Sequence, residues 1–344
     1  MSAIPKLIEI ISGDIVLPSS LFFPLATTAA STINKVLTSG GARSSAPKGE
    51  VSAVRTMTLD GFDEIAAAWS PTLKAHGYRI NLTSVFCHSR PHVSFKRVPS
   101  PFAPSPPPPD GRCELADLLI VIDYVDTHAR QRERRAVLVQ AKMLKRGKLK
   151  PYRNEWIQHE LLAWLPSFTF VDSGYDPRAR DLAGTPIAGN PRLTAEYGGI
   201  ELKSASKGWW HWLPVKTNHQ FVSQVDLSAY LAGMAVGDSS YARKAIIHGS
   251  DDWSFTVDEL LRVTAKKAIL KSKPKILRGN DNFVGFIPDT AQHLSSDGGG
   301  GGDHIPEGDI PEWPEGPIST VKMTLRPLDD PNRDFEEEAD FWEP

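Results

Sequence analysis

The chain has 344 residues, 40% of them hydrophobic, so it can form a substantial core and is not a wholly disordered protein. Its 39 Lys and Arg residues nearly balance its 41 Asp and Glu residues, and the net charge of -2 alone indicates no polyanionic partner. The two cysteines, Cys87 and Cys113, exclude a disulfide framework and lack metal-ligand spacing, which favours a reducing, cytoplasmic setting. Any metal should therefore be held by oxygen ligands.

Composition divides the chain into three parts. Residues 1–48 are weakly patterned and end in a Gly- and Ser-rich stretch, which predicts an N-terminal arm and linker. Residues 49–290 carry the apolar patterns of a folded domain. Residues 291–344 contain a run of glycines and an acidic end, which predicts a linker and a disordered tail. Prolines interrupt the uncharged segment 15–34, so no membrane partner is expected.

The middle part begins with a helix and a strand. From Asp60 to Leu73 apolar residues recur at helical spacing, and acidic residues including Glu64 lie in the first turn, where the helix dipole favours them. A strand is predicted around Tyr78 to Phe86. The proline-rich stretch 99–111 then predicts an extended connector between two segments of sheet.

Two apolar runs dominate the centre of the chain. Leu115 to Val125 and Ala136 to Met143 are nearly unbroken, which is typical of strands covered on both faces. The polar segment Asp126 to Arg135 between them predicts a hairpin with a long loop. A helix at Asn154 to Leu165 and a strand at Phe168 to Val171 should follow.

The rest of the domain has weaker patterns. Residues Asp172 to Ser206 have the composition of loops. Gln224 to Val236 and Phe255 to Leu270 predict additional C-terminal helices, the second with a capping-box pattern at its start.

Polar residues occur where the two central strands begin and end. Side chains alternate along a strand, so Gln140 and Lys142 should share one face, and the hairpin can bring Asp117 beside them. Charges beside a core need partners or a ligand. A carboxylate and an amide oxygen suit Mg²⁺, and an ammonium group can stabilise charge on a phosphate. The three residues therefore suit metal-assisted hydrolysis of a phosphodiester.

In these residues the chain resembles the PD-(D/E)XK nuclease superfamily, in the Q-x-K form of the Mrr-like members. The resemblance covers about residues 60–171. It implies an α/β, restriction-endonuclease-like αβββαβ core, with a central mixed sheet flanked by helices. It also implies that Asp117, Gln140 and Lys142 are catalytic, and that Asp117 and Gln140 bind Mg²⁺ or Mn²⁺.

The resemblance leaves the remaining metal ligand open. Gln140 has one negative charge fewer than the acid that many members carry there, and no proline precedes Asp117. Glu64 falls where many members place an additional metal-binding Glu, and Glu114 is the alternative. Strict alternation puts Glu114 on the opposite face from Asp117 unless a bulge intervenes.

Basic residues are concentrated around the proposed site. Between residues 130 and 153 ten basic residues stand against Glu133, which predicts contact with a phosphate backbone. The residues predicted to bind nucleic acid are Arg134, Arg135, Lys145, Arg146, Lys148, Lys150 and Arg153. The cluster of Trp209, Trp210 and Trp212 is interpreted first as core, with stacking on bases as the alternative.

The resemblance and the charges together predict a cytoplasmic, metal-dependent endonuclease that acts on DNA, in restriction or phage defence. RNA stays open as a substrate. The alternative is a non-catalytic nucleic-acid-binding or complex-assembly protein that retains a degenerate nuclease fold. A homodimer would suit cleavage of both strands, and the chain could also be a subunit of a defence complex.

Overall fold

The computed structural model describes residues 16–87, 91–97, 110–126, 131–145, 147–149, 156–183, 194–214, 221–267, 269–270, 283–286 and 317–330. The α-helices of these segments are Phe22–Ser39 (α1), Glu50–Thr56 (α2), Phe62–Ala75 (α3), Trp156–Trp164 (α4), Leu227–Ala235 (α5) and Asp252–Lys267 (α6). A π-helical turn at Met57–Gly61 joins α2 to α3, and a 3-10 turn at Ser19–Leu21 precedes α1.

The strands described are Tyr78–Phe86 (β1), His92–Lys96 (β2), Asp110–Glu114 (β3), Leu118–Asp126 (β4), Gln131–Met143 (β5), Phe168–Phe170 (β6), Ala195–Glu201 (β7), Gly208–Pro214 (β8), Phe221–Asp226 (β9), Arg243–Lys244 (β10), Ile269–Leu270 (β11), Phe283–Phe286 (β12) and Ser319–Pro327 (β13). Ten of them form one sheet in the order β11-β12-β1-β13-β4-β5-β7-β8-β9, with β10 beside β5. A smaller sheet has the order β3-β2-β6.

The large sheet is mixed, because its strands pair both ways. Strand β4 is antiparallel to β5 and parallel to β13, and β7 is parallel to β5. Helices pack against both faces: one core takes side chains from α1, α2, α3 and α5, and the other from α4, α6 and the small sheet. The predicted α/β class, with a central mixed sheet flanked by helices, is confirmed.

The predicted hairpin of the two apolar runs is present as β4 and β5, with Leu118 opposite Val139. Its loop is shorter than predicted. Pairing continues to Asp126 opposite Gln131, so the second half of the charged segment assigned to a loop, residues 131–135, belongs to β5. The ladder tolerates these charges because buried carboxylates on neighbouring elements pair with them, as described below.

The predicted ends of the domain need correction. The segment expected to be an arm contains α1, which packs Leu25, Ile33 and Leu37 into the core. The expected disordered tail contains β13, which lies between β1 and β4 at the centre of the large sheet. The glycine run and the acidic end at residues 331–344 lie outside the described residues.

The strand predicted after α4 also has a different place. Strand β6 belongs to the small sheet, where it pairs with β2. The parallel neighbour of β5 is instead β7, which lies in the segment Asp172 to Ser206 that was predicted to be loop. Two glycines, Gly198 and Gly199, weakened the strand signal there, and both face tryptophan rings that a Cβ would meet.

Candidate active site

Asp117 lies in the bend between β3 and β4, where it is fixed by three hydrogen bonds. Its N–H donates to the Val139 carbonyl at 3.1 Å, and its Oδ2 accepts the Ala141 N–H at 2.7 Å. The same oxygen accepts the side-chain amide of Gln140. The hairpin therefore brings Asp117 and Gln140 together, as the alternation of side chains predicts.

Gln140 bridges Asp117 to the next helix. Its Nε2 donates to Asp117, and its Oε1 accepts the Nε2 of Gln158 on α4. Gln158 also donates to the Glu114 carbonyl at 3.3 Å. The Gln140 carbonyl thus faces Gln158, and its amide must rotate by half a turn to present oxygen beside Asp117. Sequence reasoning assigned no role to Gln158.

Lys142 lies one alternation further along β5 and reaches a carboxylate that sequence reasoning missed. Its Nζ is 3.2 Å from Glu50 Oε1, and the Met143 N–H donates to Glu50 Oε2 at 3.3 Å. Glu50 is the first residue of α2, where the helix dipole stabilises a negative charge. A Gly–Glu pair directly after a Gly- and Ser-rich stretch was the only signal in the sequence.

The acid that lies beside Lys142 is Glu50 and not Glu64. Glu64 is on α3, and its Oε2 forms a salt bridge of 2.7 Å with Lys35 of α1. The sequence pattern predicted the helix that carries Glu64 but not the seven-residue helix α2, so Glu50 was not considered. The structure does not bring Glu64 into the network around Asp117.

Glu114 belongs to the same acidic group. Burial, followed by the charge of Asp117, raises the pKa of Glu114 well above its ordinary value, against the opposing effect of Lys142. The ladder is interrupted between Glu114 and Leu118, so strict alternation does not apply across that bend. The interruption takes the place of the bulge that would otherwise be needed to bring Glu114 near Asp117.

The environment also shifts the titration of Asp117. Burial and then the charge of Glu50 raise its pKa to about 7, although Lys142 and the hydrogen bonds from Ala141 and Gln140 oppose the rise. Three acids, Glu50, Glu114 and Asp117, thus share the ammonium group of Lys142. Such an excess of negative charge favours uptake of a proton or a cation.

Among the described residues no group of three or more His, Cys, Asp and Glu side chains is arranged to hold a metal ion. No family model, curated protein or solved structure matches this chain. In the described part of the chain, no helix has the length and apolar character needed to cross a bilayer.

Two of the predicted nucleic-acid contacts are wrong, because Arg134 and Arg135 are buried in β5. Arg134 Nε donates to Asp123 Oδ1 at 2.7 Å, and a second carboxylate, that of Asp258, accepts from its Nη1. Arg135 pairs with Glu133 at 3.0 Å. These arginines pair with acids of the fold, of which Asp123 is buried, and are not available to a phosphate backbone.

The basic residues after β5 have a different setting. Lys145 and Lys148 are exposed on a tight turn, closed by the Lys145 N–H bonding the Lys148 carbonyl at 2.9 Å. Gly147 adopts a φ of 68° there, a conformation that favours glycine. The other predicted contacts, Arg146, Lys150 and Arg153, lie outside the described residues. Nucleic-acid contact from this turn stays a prediction.

Proposed function

We propose that the chain is a metal-dependent nuclease of the PD-(D/E)XK type, which hydrolyses phosphodiester bonds in DNA. The observation that carries the proposal is the meeting of three residues from different elements: Asp117 of the bend before β4, Lys142 of β5 and Glu50 of α2. Two acids that are distant in sequence thus lie around one ammonium group.

The donors present fit a divalent cation. Mg²⁺ is commonly bound through one or two carboxylates, with waters and substrate oxygens completing its shell, so a cluster of three acids is not required. Asp117 and Glu50 would hold the ion, and Gln140 would join them after rotation of its amide. Burial and then the charge of Glu50 raise the pKa of Asp117, and the contribution of Glu50 supports this assignment because a cation would relieve the repulsion.

The chemistry supplied by a bound divalent cation is neutralisation of phosphate charge and acidification of a water molecule. Lys142 would stabilise the negative charge that develops on the phosphate oxygens. Glu50 accepts from both the Lys142 ammonium and the Met143 N–H, so it also holds Lys142 in place. Gln158 positions Gln140 by occupying its carbonyl.

The proposal is tested by plasmid cutting. Asp117→Ala and Lys142→Ala should each reduce Mg²⁺-dependent nicking by about 10²–10³-fold, because each removes charge that acts on the reacting phosphate. Nicking is measured on gels over time, and DNA binding is measured separately by anisotropy in EDTA. Retained binding with lost cutting supports the enzyme. Wild-type protein that cuts neither DNA nor RNA with any of Mg²⁺, Mn²⁺ or Ca²⁺ would contradict it.

One observation favours the non-catalytic alternative. The Gln140 carbonyl is engaged by Gln158, which leaves one acceptor fewer beside Asp117 than a carboxylate would provide. A nucleic-acid-binding protein with a degenerate site would bind plasmid in the assay above and cut none of it. Gln140→Glu would then restore the missing charge. If that variant cuts plasmid, the glutamine at position 140 is the cause of the inactivity.

Metal affinity should depend on pH. With a pKa of about 7, Asp117 binds a proton below that value, and the proton competes with the cation. Mn²⁺ affinity should therefore be full above pH 7 and fall by about tenfold per pH unit below it. Calorimetric titration between pH 5 and pH 8 measures the trend. Asp117→Asn should bind weakly at every pH, and a wild-type affinity that is flat across this range would refute the assignment.

A further inference from the structure

An open cleft of about 1150 Å³ lies beside the candidate active site. Leu144 and Lys145, which follow β5, form one side, and Trp210 and Trp212 of β8 form another. Glu201, at the end of β7, lines it as well, and the remaining lining residues are Gly147, Lys203, Ser204 and Ser206. The cleft therefore combines two half-buried indole rings, two lysines and one acid.

The ladder places this cleft on the same side of the sheet as Lys142. Side chains that pack on that face include Leu144, Trp210 and Trp212. Lys142 is opposite Gly199 of β7, and Gly199 is opposite Trp210 of β8. Two strand spacings separate Lys142 from Trp210, which is about 10 Å. One nucleic-acid strand can therefore contact both places.

A glycine allows the second indole to cover β7. A Cβ on Gly199 would lie 2.5 Å from the Trp212 Nε1 and 2.6 Å from a methyl group of Leu144. Because Gly199 has no side chain, the Trp212 ring can lie over β7 beside the candidate active site. By contrast, Trp209 points to the opposite core and is 1% exposed. The predicted core role is thus correct for Trp209, whereas Trp210 and Trp212 are half-buried in the cleft wall.

The charges in the cleft are arranged for a base more than for a phosphate. Glu201 is 8% exposed, and its Oε1 accepts the Lys203 N–H at 2.7 Å, which fixes the carboxylate. A fixed carboxylate repels phosphate but accepts hydrogen bonds from a base edge. Guanine presents N1–H and N2–H side by side, whereas thymine presents one N–H. Lys145 and Lys203 are exposed and suit the flanking phosphates.

We propose that the cleft is a subsite for an unpaired nucleotide of a single strand, with guanine preferred, next to the site of cleavage. Trp210 and Trp212 would stack on the base, Glu201 would accept from its Watson–Crick edge, and Lys145 and Lys203 would contact the phosphates. The inference rests on the proposed nuclease function and narrows its substrate to nucleic acid with an unpaired segment.

Binding in EDTA tests the subsite without any cleavage. Anisotropy compares a labelled oligo-dT strand, the same strand with one central guanine, and a duplex of the guanine strand. Trp212→Leu keeps apolar bulk but removes the aromatic face, and should weaken binding of both single strands by about tenfold. Trp212→Phe should stay within about threefold of wild type, because it still stacks. Duplex affinity should change in neither variant.

Two polar variants test the rest of the assignment. Glu201→Gln should abolish the preference for guanine over thymine, and Lys203→Glu, at an exposed position, should weaken both single strands. Phe23→Ala and Lys74→Ala are the matched controls, since both side chains are exposed on helices of the opposite layer. Their affinities should equal that of wild type.

Several results would overturn the inference. The first is equal affinity of Trp212→Leu and Trp212→Phe for the single strands. The second is a loss of affinity in Trp212→Leu that is as large for the duplex as for the single strands. The third is displacement of the bound strand by poly-glutamate as efficiently as by oligo-dT. The last result would identify an acidic polypeptide as the occupant. Cutting of duplex plasmid that needs Asp117 but not Trp212 would remove the subsite and leave the nuclease. Binding of single strands that depends on Trp212, in a protein that cuts nothing, would keep the subsite and contradict the nuclease.

Discussion

Glu50→Gln should reduce metal-dependent cutting by about 10²–10³-fold, the reduction expected when a charge that acts on the transition state is removed. Glu50 contributes in two ways. Its carboxylate would hold the cation with Asp117, and it accepts from the Lys142 ammonium at 3.2 Å. A glutamine is of similar size and retains one acceptor, so the fold should persist. The measurement is the rate of plasmid nicking at saturating Mg²⁺.

The pH profile of the same variant gives an independent readout. The charge of Glu50 is the second cause, after burial, of the raised pKa of Asp117. Without that charge the pKa should fall, and the acid limb of the residual activity should move below pH 7. A profile that does not move, in a variant that has lost activity, would mean that Glu50 acts on Lys142 alone.

Glu64→Gln is the matched control. Glu64 is also in the first turn of a helix, and its partner Lys35 is 64% exposed, so its salt bridge contributes little. Cutting should stay within about twofold of wild type. Should Glu64→Gln lose activity and Glu50→Gln keep it, the assignment of the acidic position would be wrong.

Arg134→Ala should destabilise the protein by about 3–5 kcal/mol, because it leaves the buried Asp123 without its guanidinium partner. Burial alone would raise the pKa of Asp123, but Arg134 and then Lys322 lower it below its ordinary value. The stabilisation is therefore present above about pH 3.9 and is lost as the pH falls through the lowered pKa. Urea unfolding of wild type and variant at pH 7 measures the destabilisation.

Arg132→Ala is the control on the same strand, since Arg132 is exposed. Its stability should change by no more than about 0.5 kcal/mol. Arg134→Met combined with Asp123→Asn should recover part of the stability, because it removes the uncompensated charge. If Arg134→Ala is as stable as wild type, the ion pair with Arg134 does not stabilise the buried carboxylate of Asp123.

The buried arginines also bear on DNA binding. Lys145→Ala should lower the salt dependence of affinity, and the logarithmic slope should change by about 0.9 for each phosphate that the protein no longer neutralises. A substitution of Arg134 that still folds should leave that slope unchanged, because the Arg134 guanidinium of the wild type is already paired with Asp123 and Asp258. Linear density of positive charge along a sequence therefore overestimates the charge that a ligand meets.

The centre of the fold was predictable because its signals are local. Unbroken apolar runs identified β4 and β5, and the period of two placed Gln140 and Lys142 on one face. These rules needed no knowledge of distant contacts. They failed at Arg134, because the sequence pattern does not show whether an arginine lies in a strand or in a loop. Its partners are Asp123, opposite it in the hairpin, and Asp258 of α6.

The remaining errors have a common physical origin in tertiary packing. Helix α1 has few charges and many Thr, Ser and Ala residues, so its apolar face at Leu25, Ile33 and Leu37 stood out weakly. Helix α2 has seven residues, too few to display a period. For that reason Glu50 was not recognised as part of the site. Its position is set by its contact with β5 and not by its own neighbours in sequence.

The position of β13 makes the order of synthesis matter for this protein. Val321 pairs with Ile120 on one side and with Ser84 on the other, so the strand beside Asp117 acquires this neighbour only when residues near the end of the sequence are available. Contacts between such distant residues slow folding, because a long loop must close first. A nascent chain that has already made β4 and β5 therefore still lacks the strand that joins β4 to β1. The protein would reach its finished form only after residues 319–327, which form β13, have left the ribosome.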